Sequence, residues 1–521
     1  MRRFVGPLFL LTALLESQLS LASPQSASRA GATVQSRITQ TVDDAGMATL
    51  RGNTHPLARP EFDRGPAPGD LPLERMLLVL KRSAAQESAL KQLLDQQQDR
   101  SSAKYHKWLT PQEFGRQFGP PIEDMQAVMS WLESQGFQVA GIANGRTTIE
   151  FSGTAAQVQN AFHTAIHKFV VNGEEHWANA NDPQIPAALM PVVAGIATLH
   201  TFRKKPQIRI SGQPITVTYN TASQRPEFTA TDGSHGLSPA DYAVIYNINP
   251  LYQAGVNGTG RTIAIVAKSN IKLQDVADFR NLLGLAKNPP QIILNGKDPG
   301  LVKNDEAEAL LDTSWSGAVA PNATVKLVIS ADTNASDGVD LSESYIIDNN
   351  LADVMSESYG DCEANYTSAE ATQIQSLAQQ AAAQGITYMV STGDSGAEGC
   401  DDPNSETTAT GPVSVNILAS TPYTVAVGGT QFNENGNNAA YWSSQNNSVY
   451  ESVLSYIPED VWNESCTVAQ CGSANAGIWA GGGGASTLFA KPSWQIGVTG
   501  IPNDGARDIP DVSLTAASHD Y

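Results

Sequence analysis

The chain has 521 residues, more than one ordinary hydrophobic core accommodates, so two or three domains are expected. Apolar residues make up 41% of the chain, a share typical of globular and not of disordered proteins. The formal net charge is -20, and the acidic excess lies almost wholly after residue 240, which argues against nucleic acid or an anionic membrane as a partner. Beyond the N-terminal segment, no apolar run approaches the roughly 18–20 residues of a membrane span.

The N-terminus has the pattern of a secretory signal. Arg2 and Arg3 precede the apolar run FVGPLFLLTALL, and SLA at 20–22 offers the small residues that a signal peptidase reads. We expect residues 1–22 to be a signal peptide and the protein to be secreted; a buried N-terminal helix is the alternative. Residues 23–70 are rich in Ala, Ser, Gly, Pro and Arg without periodicity, which predicts a disordered leader.

Residues 71–202 predict a small α+β domain. An apolar strand at 75–81 precedes a helical pattern at 83–99, and further helices and strands continue to HKFVV at 167–171. Thr154 is expected to cap the helix that starts with AAQVQNAF. Helices and strands mixed over this length are typical of an α+β domain.

The segment 203–236 lacks periodicity and is rich in Pro, Thr, Ser and Gly. This composition predicts an exposed, cleavable linker, because proteases cut such segments most readily. It would separate the small domain from residues 237–521.

From Leu237 onward, short apolar strands alternate with helices. The strand patterns are RTIAIVA, QIILN, TVKLVIS, DVMSESYG, ITYMVSTGD and YTVAVGG, and the helical patterns are KLQDVADFRNLLG, EAEALLDTSWSGAVA and SAEATQIQSLAQQAAAQG. Strands this apolar predict a buried parallel sheet and hence an α/β domain. Because functional groups gather at the C-terminal ends of such strands, Asp394 is a candidate site residue.

The motif G-D-S-G at 393–396 is the one that surrounds the nucleophilic serine of trypsin-like proteases. A Ser-His-Asp triad needs an imidazole base. The interval between His235 and His519 contains no histidine. We therefore do not expect Ser395 to be a nucleophile.

A carboxylate can replace imidazole as a general base in an acidic medium, because the unperturbed pKa of glutamate is about 4.3. Glu308 and Asp312 are four residues apart on a predicted helix and share one face. Adjacent carboxyls tend to share a proton, which raises one pKa and couples their titration. The pair is a candidate base with its orienting partner, although acidic residues in a first helical turn also favour the helix dipole.

The cysteines Cys362, Cys400, Cys466 and Cys471 all lie in the last third of the chain. In an exported protein this even number predicts two disulfides, for which three pairings exist. We favour Cys362–Cys400 and Cys466–Cys471, the second of which closes a tight local loop. Metal binding is the weaker alternative, because C-x-x-C and a neighbouring histidine are both lacking.

Ordered motifs along most of the chain carry a family resemblance. In the small domain they are HKWLTPQEFGRQFG, VMSWLESQGF, IEFSGTAAQVQNAFHTAIHKF and IPAALMPVVAGIATL. In the large domain they are LSPADYAVIYNI, GTGRTIAIVAKSNI, EALLDTSWSGAVAPNA, STGDSGAEGC, VAVGGT, GGGGASTLFAKPSWQ and RDIPDVSL. Together they resemble the sedolisin (serine-carboxyl peptidase) family, in its kumamolisin-like form with an activation pro-domain.

The resemblance implies a subtilisin-like parallel-sheet catalytic domain preceded by an α+β, ferredoxin-like activation pro-domain. It also implies an endopeptidase active at acid pH with a Ser-Glu-Asp triad. By resemblance Glu308 is the general base and Asp312 orients it. Asp394 is the oxyanion-hole aspartate, which has to be protonated to donate a hydrogen bond.

The resemblance further implies polypeptide substrates, with the chain's own pro-domain as an intramolecular inhibitor. The glycines Gly481, Gly482 and Gly483 would offer backbone groups to an extended peptide substrate. A flexible loop without that role is the alternative.

The chain departs from the family pattern at the nucleophile. The family places its serine in a G-T-S motif after P-D-V-S, which is matched at 510–513, and no such motif follows here. GGT at 428–430 is followed by glutamine. We expect the motif in a continuation past Tyr521, with a truncated, inactive form as the alternative. The family's calcium site is likewise expected beyond residue 521, with no metal site within this chain.

Our hypothesis is a secreted precursor of an acid-acting serine-carboxyl endopeptidase. The small domain would assist folding and block the catalytic domain, and protonation of carboxylates between the domains would start maturation. One alternative is a catalytically inactive exported binding protein that keeps the fold. The other is a histidine-dependent subtilisin-like protease, which the histidine-free interval disfavours.

Overall fold

The computed structural model describes residues 34–206, 208, 217–220, 225–230, 235–403, 406–472 and 476–517. The expected signal peptide, residues 23–33 of the leader and His519 lie outside these residues. From Gln35 onward the described residues form one compact unit. None of the described helices is both long and apolar enough to cross a bilayer.

The N-terminal part is a small α+β domain. Its strands are β1 (Met47–Thr49), β2 (Asp63–Pro66), β3 (Pro72–Leu80), β4 (Gln138–Ile142), β5 (Thr148–Thr154), β6 (Ile166–Val171), β7 (Glu174–Asn179), β8 (Gln184–Pro186) and β9 (Val193–Ile196). Its helices are α1 (Ala84–Gln98), α2 (Pro111–Phe118), α3 (Ile122–Ser134) and α4 (Ala155–Phe162).

An antiparallel sheet in the order β4-β5-β3-β9 forms the centre of this domain. The core beside it includes Trp131 of α3 and Phe162 of α4, whose rings lie 5.4 Å apart. Thr154 caps α4 as predicted, because its side chain accepts from the backbone N–H of Gln157. The helix ends earlier than predicted, since His163 takes a left-handed conformation with φ 51°.

The prediction of a disordered leader is wrong for residues 34–70. The carboxylate of Asp124 accepts from the N–H groups of Arg37 and Ile38 at 2.9 and 3.2 Å. Leu50 is 2% exposed within the core of the small domain. The segment shows no periodicity because hydrogen bonds and single apolar contacts with the domain hold it, not a repeated apolar face of its own.

The remaining elements connect to and build the large domain. Its strands are β10 (Lys205–Pro206), β11 (Val217–Asn220), β12 (Arg225–Ala230), β13 (Thr262–Ala267), β14 (Gln291–Leu294), β15 (Thr324–Ile329), β16 (Val354–Glu357), β17 (Tyr359–Gly360), β18 (Thr387–Ser391), β19 (Val425–Phe432), β20 (Glu459–Val461), β21 (Gly484–Ala490), β22 (Ala506–Ile509) and β23 (Val512–Thr515). Its helices are α5 (Pro239–Ile245), α6 (Asn249–Gln253), α7 (Leu273–Leu282), α8 (Asp305–Val319), α9 (Gly338–Asp348), α10 (Ser368–Gln384), α11 (Ile417–Ser420) and α12 (Val468–Cys471).

The main sheet has the order β14-β15-β13-β16-β18-β19-β20, with β23 beside β19, and only β19–β20 is antiparallel. Helices cover both of its faces. Along β13, Ala264 and Val266 pack into a core shared with α9 and α10, whereas Ile265 and Ala267 pack into one shared with α7 and α8. Burial on both faces explains the continuous apolar strands and confirms the predicted α/β, parallel-sheet domain.

The helix α9 was not predicted from the sequence. Asp337 caps its N-terminus by accepting from the N–H of Val339. Asp340, Ser342 and Glu343 are buried on this helix, so polar residues occupy positions where the pattern of an amphipathic helix requires apolar ones.

The start of the predicted exposed linker is docked, and the prediction of exposure is wrong for Lys204, whereas Lys205 is exposed. The strand β10 pairs antiparallel with β17, and Lys204 is 5% exposed. Basic residues at this point meet acidic residues of the large domain, which holds an otherwise aperiodic segment in place. Parts of the linker, among them residues 209–216, lie outside the described residues.

Both favoured disulfides are present. Cys362 and Cys400 are bonded with their Cα atoms 4.9 Å apart, and Cys466 and Cys471 with theirs 6.2 Å apart. The first bond ties the chain just after β17 to the loop that follows β18.

Candidate active site

Glu308 and Asp312 lie one turn apart on α8, which packs against β13 and β15. Glu308 is 1% exposed. The hydroxyl of Ser358, in the break between β16 and β17, donates to Oδ1 of Asp312 at 3.0 Å. Within the described part of the chain, Oε2 of Glu308 and Oδ2 of Asp312 have no hydrogen-bond partner. Each carboxyl therefore keeps one oxygen that can accept or share a proton.

The surroundings of this pair favour its protonated forms. Burial raises the pKa of Glu308 well above its ordinary value, and the charges of Asp312 and Asp394 raise it further. Burial also raises the pKa of Asp312 to about 7, against the opposing hydrogen bond from Ser358. Because the carboxyls act on each other, they titrate as one coupled group.

Asp394 follows the C-terminal end of β18, which is where the sequence placed it. Its carbonyl accepts from the N–H of Ala480 at 2.8 Å, which fixes the backbone of the loop. Burial raises the pKa of its carboxyl to about 7. Asp394 also acts on the pKa of Glu308, so the structure brings the three predicted carboxyls into one cluster.

Ser395, the serine of the G-D-S-G motif, is 8% exposed and forms a backbone bridge with Ala480. Ser395 and His176 of the small domain both line the cleft between the two domains. Nδ1 of His176 lies 3.1 Å from the carbonyl oxygen of Thr201, and its ring stacks on Phe202. His176 therefore contacts residues at the end of the small domain, and these contacts do not make it a base for Ser395.

The glycine run packs closely against the loop that carries Asp394. The N–H of Gly482 donates to the carbonyl of Gly393 at 2.7 Å, and that of Gly481 donates to the carbonyl of Trp462 at 3.0 Å. A Cβ atom at Gly482 would lie 2.3 Å from the carbonyl oxygen of Thr392, so only glycine is tolerated there. Pairing of Gly481, Gly482 and Gly483 with a peptide substrate stays a prediction.

A cleft of about 900 Å³ lies between the small domain and the C-terminal ends of the strands. The large domain contributes Asp305, Asp361, Asp394, Ser395 and Trp479 to its walls, among others. The small domain and the start of the linker contribute Glu174, His176, Arg203, Lys204, Lys205 and Pro206. The small domain thus covers the edge of the sheet at which the carboxyl cluster lies.

Sequence analysis missed several residues that contact the cluster. Besides Ser358, these are Asp305 and Tyr359. Tyr359 is fully buried, and burial together with the charges of Asp305 and Glu308 raises the pKa of its hydroxyl well above the ordinary value. Asp305 precedes Glu308 by three residues, so helical spacing would have found it, whereas Ser358 and Tyr359 come from a distant strand that only the fold brings near.

Among the described residues, no group of three or more His, Cys, Asp and Glu side chains could hold a metal ion. The calcium site expected beyond residue 521 stays a prediction.

Two family models match the chain. Residues 62–202 match the pro-kumamolisin activation domain, and residues 295–487 match the subtilase family. The first match covers the small α+β domain, and the second includes α8 and the strands around the carboxyl cluster.

Curated relatives extend these matches over most of the chain. Sedolisin of Pseudomonas sp. is 29% identical over 450 residues, covering 84% of this chain and 70% of its own length. Xanthomonalisin of Xanthomonas sp. is 30% identical over 80% of this chain, which spans 50% of that relative. Kumamolisin of Bacillus sp. is 24% identical over 90% of this chain and 78% of its own length. A solved structure of Pseudomonas sedolisin, a serine-carboxyl proteinase complexed with two molecules of pseudo-iodotyrostatin, is 30% identical, with 54% of this chain and 71% of that chain covered and a TM-score of 0.42.

Proposed function

We propose, from the premise that the chain belongs to the sedolisin family of serine-carboxyl peptidases, that it is the secreted precursor of an endopeptidase that acts at acid pH. Glu308 is the general base, Asp312 holds and tunes it, and Asp394 stabilises the oxyanion. The observation that supports this proposal most is the cluster of three buried carboxyls with raised pKa values at the end of β18, under the activation domain.

The proposed nucleophile is a serine of a G-T-S motif encoded past Tyr521. Glu308 would take the proton of this hydroxyl as the serine attacks the scissile carbonyl, and would return it to the leaving amine. Asp312, held by Ser358, shares the proton that Glu308 gains. With one proton shared between them, Glu308 and Asp312 avoid two adjacent negative charges at every stage of this cycle.

The pKa of Glu308 is raised in the precursor, so the base is protonated while the activation domain is docked. We propose that water entering the cleft after this domain leaves lowers the pKa toward its ordinary value. A partly ionised glutamate is then a matched base at about pH 3–5.

The role of Asp394 requires its neutral form. An ionised carboxylate would repel the oxyanion, whereas a protonated one donates a hydrogen bond to it. Burial raises the pKa of Asp394 to about 7, so the group is protonated throughout the acid range. The proposed activity therefore falls as the pH rises through this value.

The activation domain would act as an intramolecular inhibitor that acid releases. Acid favours separation only through groups whose pKa is lower in the docked state than in the separated state. Burial lowers the pKa of His55 and His176 of the activation domain, so they would gain protons on release below about pH 6.5. His200 lowers the pKa of Glu370 to about 2 despite burial, so Glu370 contributes only below about pH 4.

We therefore propose that acid releases the activation domain through His55, His176 and Glu370, and not through the interface carboxylates in general. Interface carboxyls with a raised pKa, such as Asp361 at about 6, oppose release in acid. Equal rates of processing of the full-length precursor at pH 7 and pH 4 would contradict the trigger.

The base assignment is tested by hydrolysis of a denatured protein at pH 4. The full-length product of the encoding gene is compared with its Glu308→Gln and Glu306→Gln variants. Glu306 lies on the same helix and is half-buried, so Glu306→Gln is a matched control for the change of a carboxylate to an amide. We expect loss of activity only in Glu308→Gln, because an amide cannot accept the proton; activity retained in that variant would refute the assignment.

A further inference from the structure

Lys204, at the point where the chain leaves the activation domain, is buried in a pocket of the large domain. Its Nζ lies 2.5 Å from Oδ1 of Asp340 and 5.5 Å from the centre of the Tyr366 ring. The backbone N–H of Lys204 donates to Oδ2 of Asp337 at 2.8 Å. We call this the Lys204 pocket; the activation domain fills it with an ammonium group.

The large domain does not neutralise the Lys204 pocket by itself. The acidic side chains that the large domain contributes to its lining are Asp337, Asp340, Asp361 and Glu370. The nearby cation Lys268 lies 3.8 Å from Asp337, and its other carboxylate contacts, at 3.9 and 3.8 Å, are Asp305 and Asp332. Among the ion pairs of the described residues, Lys204 is the one partner of Asp340. When Lys204 leaves together with the activation domain, Asp337 keeps Lys268 and Asp340 loses its cation.

A second buried acid lies behind Asp340. Glu343, one helical turn further along α9, is 1% exposed, and its Oε1 has no hydrogen-bond partner within the part of the chain described. It lies close enough to Asp340 and Lys204 for their charges to act on its pKa, which burial raises. The Lys204 pocket thus has a further buried carboxyl within electrostatic reach of Asp340.

The Lys204 pocket opens into the active-site cleft. Lys204 and Asp361 line both the pocket and the cleft that contains Asp394. The residues after Lys204 form β10, which pairs antiparallel with β17 in a two-stranded sheet. An extended peptide on the same edge of β17 would have a side chain beside the pocket, as in other cases of recognition by strand addition.

We propose that the Lys204 pocket is a substrate subsite that selects a lysine or arginine side chain once the activation domain has left. This inference rests on the proposed function and names the substrate class: polypeptides with a basic residue at one fixed distance from the scissile bond.

The selectivity follows from the chemistry of the empty pocket. Burial raises the pKa of Asp340 and a cation beside it opposes that shift, so at a pH at which Asp340 is ionised a basic side chain restores the charge-assisted hydrogen bond that Lys204 makes with it. A neutral aliphatic side chain of the same length would cover Asp340 without pairing it, which costs free energy because a desolvated carboxylate loses its hydration. An acidic side chain would add repulsion.

The test uses the self-processed, full-length product of the gene and a set of peptides. The peptides are identical except that lysine, norleucine or glutamate is placed in turn at each position before the scissile bond. The enzymes are the wild type, Asp340→Asn, and Asp348→Asn as a control on the same helix. Asp348 accepts from backbone N–H groups of Asn144 and Gly145 of the activation domain and does not line the pocket.

We expect one position at which lysine raises kcat/KM over norleucine by about tenfold or more, the size of one charge-assisted hydrogen bond. In Asp340→Asn this ratio should fall toward one, because lysine loses its charged partner and norleucine no longer covers an unpaired carboxylate, and Asp348→Asn should keep the ratio. The norleucine rate shows that the variant is folded.

The absence of any lysine preference in the wild type would overturn the subsite but leave the proposed function standing, as would a preference unchanged in Asp340→Asn. If no peptide is cleaved, or if Glu308→Gln cleaves them as well as the wild type, the proposed function fails and the inference falls with it.

Discussion

At the scale of single residues, Glu308, Asp312 and Asp394 share one property: burial raises the pKa of each. Three carboxyls in one low-dielectric cluster cannot all be ionised, so the cluster carries protons at a pH where free carboxyls have lost them. In the proposed peptidase, protonated Asp394 is the donor to the oxyanion, and this donor is lost as the pH rises through about 7. Glu308 accepts a proton only in its ionised form, so the proposed activity needs a pH at which Asp394 is protonated and Glu308 is partly ionised.

Two substitutions of Asp394 separate its proposed role from its place in the fold. Asp394→Ala removes the oxyanion donor and should lower kcat about 10²–10³-fold, the usual loss for one such donor. Asp394→Asn keeps a neutral donor at every pH, so its activity should no longer fall as the pH rises through about 7. The measurement is kcat/KM against pH for both variants of the full-length product.

An Asp394→Asn profile that superimposes on the wild-type profile would show that another group causes the alkaline loss. Wild-type rates in Asp394→Ala would contradict the assignment itself.

The sequence predicted Glu308, Asp312 and Asp394 because helical spacing and strand ends are local signals. Ser358 and Tyr359 could not be found in the same way, since they contact α8 only through the arrangement of the parallel sheet. Lys204 also escaped prediction: it lies in an aperiodic segment whose burial depends on acids more than 130 residues away in the sequence, such as Asp340.

At the scale of elements, the pieces around the cleft are held by connections of different reach. The disulfide Cys362–Cys400 joins the residues after β17 to the loop that follows β18, across a separation of 38 residues. Cys466–Cys471 closes a separation of 5 residues. Cys362 is fully buried beside the strand on which β10 lies.

The two disulfides should therefore differ in their effect on stability. In the chain-entropy treatment, a loop of this longer separation stabilises the fold by about 4 kcal/mol and the shorter one by about 2 kcal/mol. We expect the double change of Cys362 and Cys400 to alanine to lower the free energy of unfolding by roughly twice as much as the change of Cys466 and Cys471. Denaturant titration of each variant under the same conditions measures the difference.

An equal loss for both pairs, or a larger one for Cys466 and Cys471, would contradict this ranking. Because each variant replaces two cysteines by alanine, the two serve as controls for each other.

Prediction from sequence succeeded for elements with a repeated apolar pattern. The strands β13, β14, β15, β16, β18 and β19 of the main sheet and the helices α1, α7, α8 and α10 were predicted because apolar residues recur along them, whereas β20 and β23 were not predicted. It failed for α9 and for residues 34–70, where polar groups are buried and paired across the fold. The sequence pattern also predicted β16 and β17 as one strand. The strand breaks at Ser358, whose hydroxyl donates to Asp312, and the apolar pattern does not indicate this break.

At the scale of the whole molecule, acid acts on the precursor in two opposite ways. Carboxyls with raised pKa values bind protons more tightly when folded, so they stabilise the folded chain as the pH falls from about 8 to about 4. Groups whose pKa is lowered in the folded chain, such as His55 and Glu370, destabilise the fold as the pH falls below their unfolded pKa values. The balance favours a fold that is most stable in mild acid.

We predict a higher midpoint of thermal unfolding at pH 5 than at pH 8. Burial raises the pKa of Glu357 to about 8, whereas the same group in the unfolded chain ionises at about 4.3. The folded chain therefore loses stability as the pH rises between these two values. Glu357→Gln, which stays neutral and can still accept from the hydroxyl of Tyr388, should show a smaller difference between the two pH values. Near-ultraviolet circular dichroism follows the unfolding; a midpoint equal or higher at pH 8 in the wild type would refute the prediction.

We propose that buried carboxyls, and no histidine, carry out the catalysis. This proposal is tested most directly by the pH profile of kcat/KM for the full-length product on a denatured protein, measured from pH 2.5 to 9 in the wild type and in Glu308→Gln. We expect a wild-type maximum at about pH 3–5, a decline toward pH 7, and loss of activity in Glu308→Gln at every pH. A maximum at neutral or alkaline pH that persists in Glu308→Gln would contradict it.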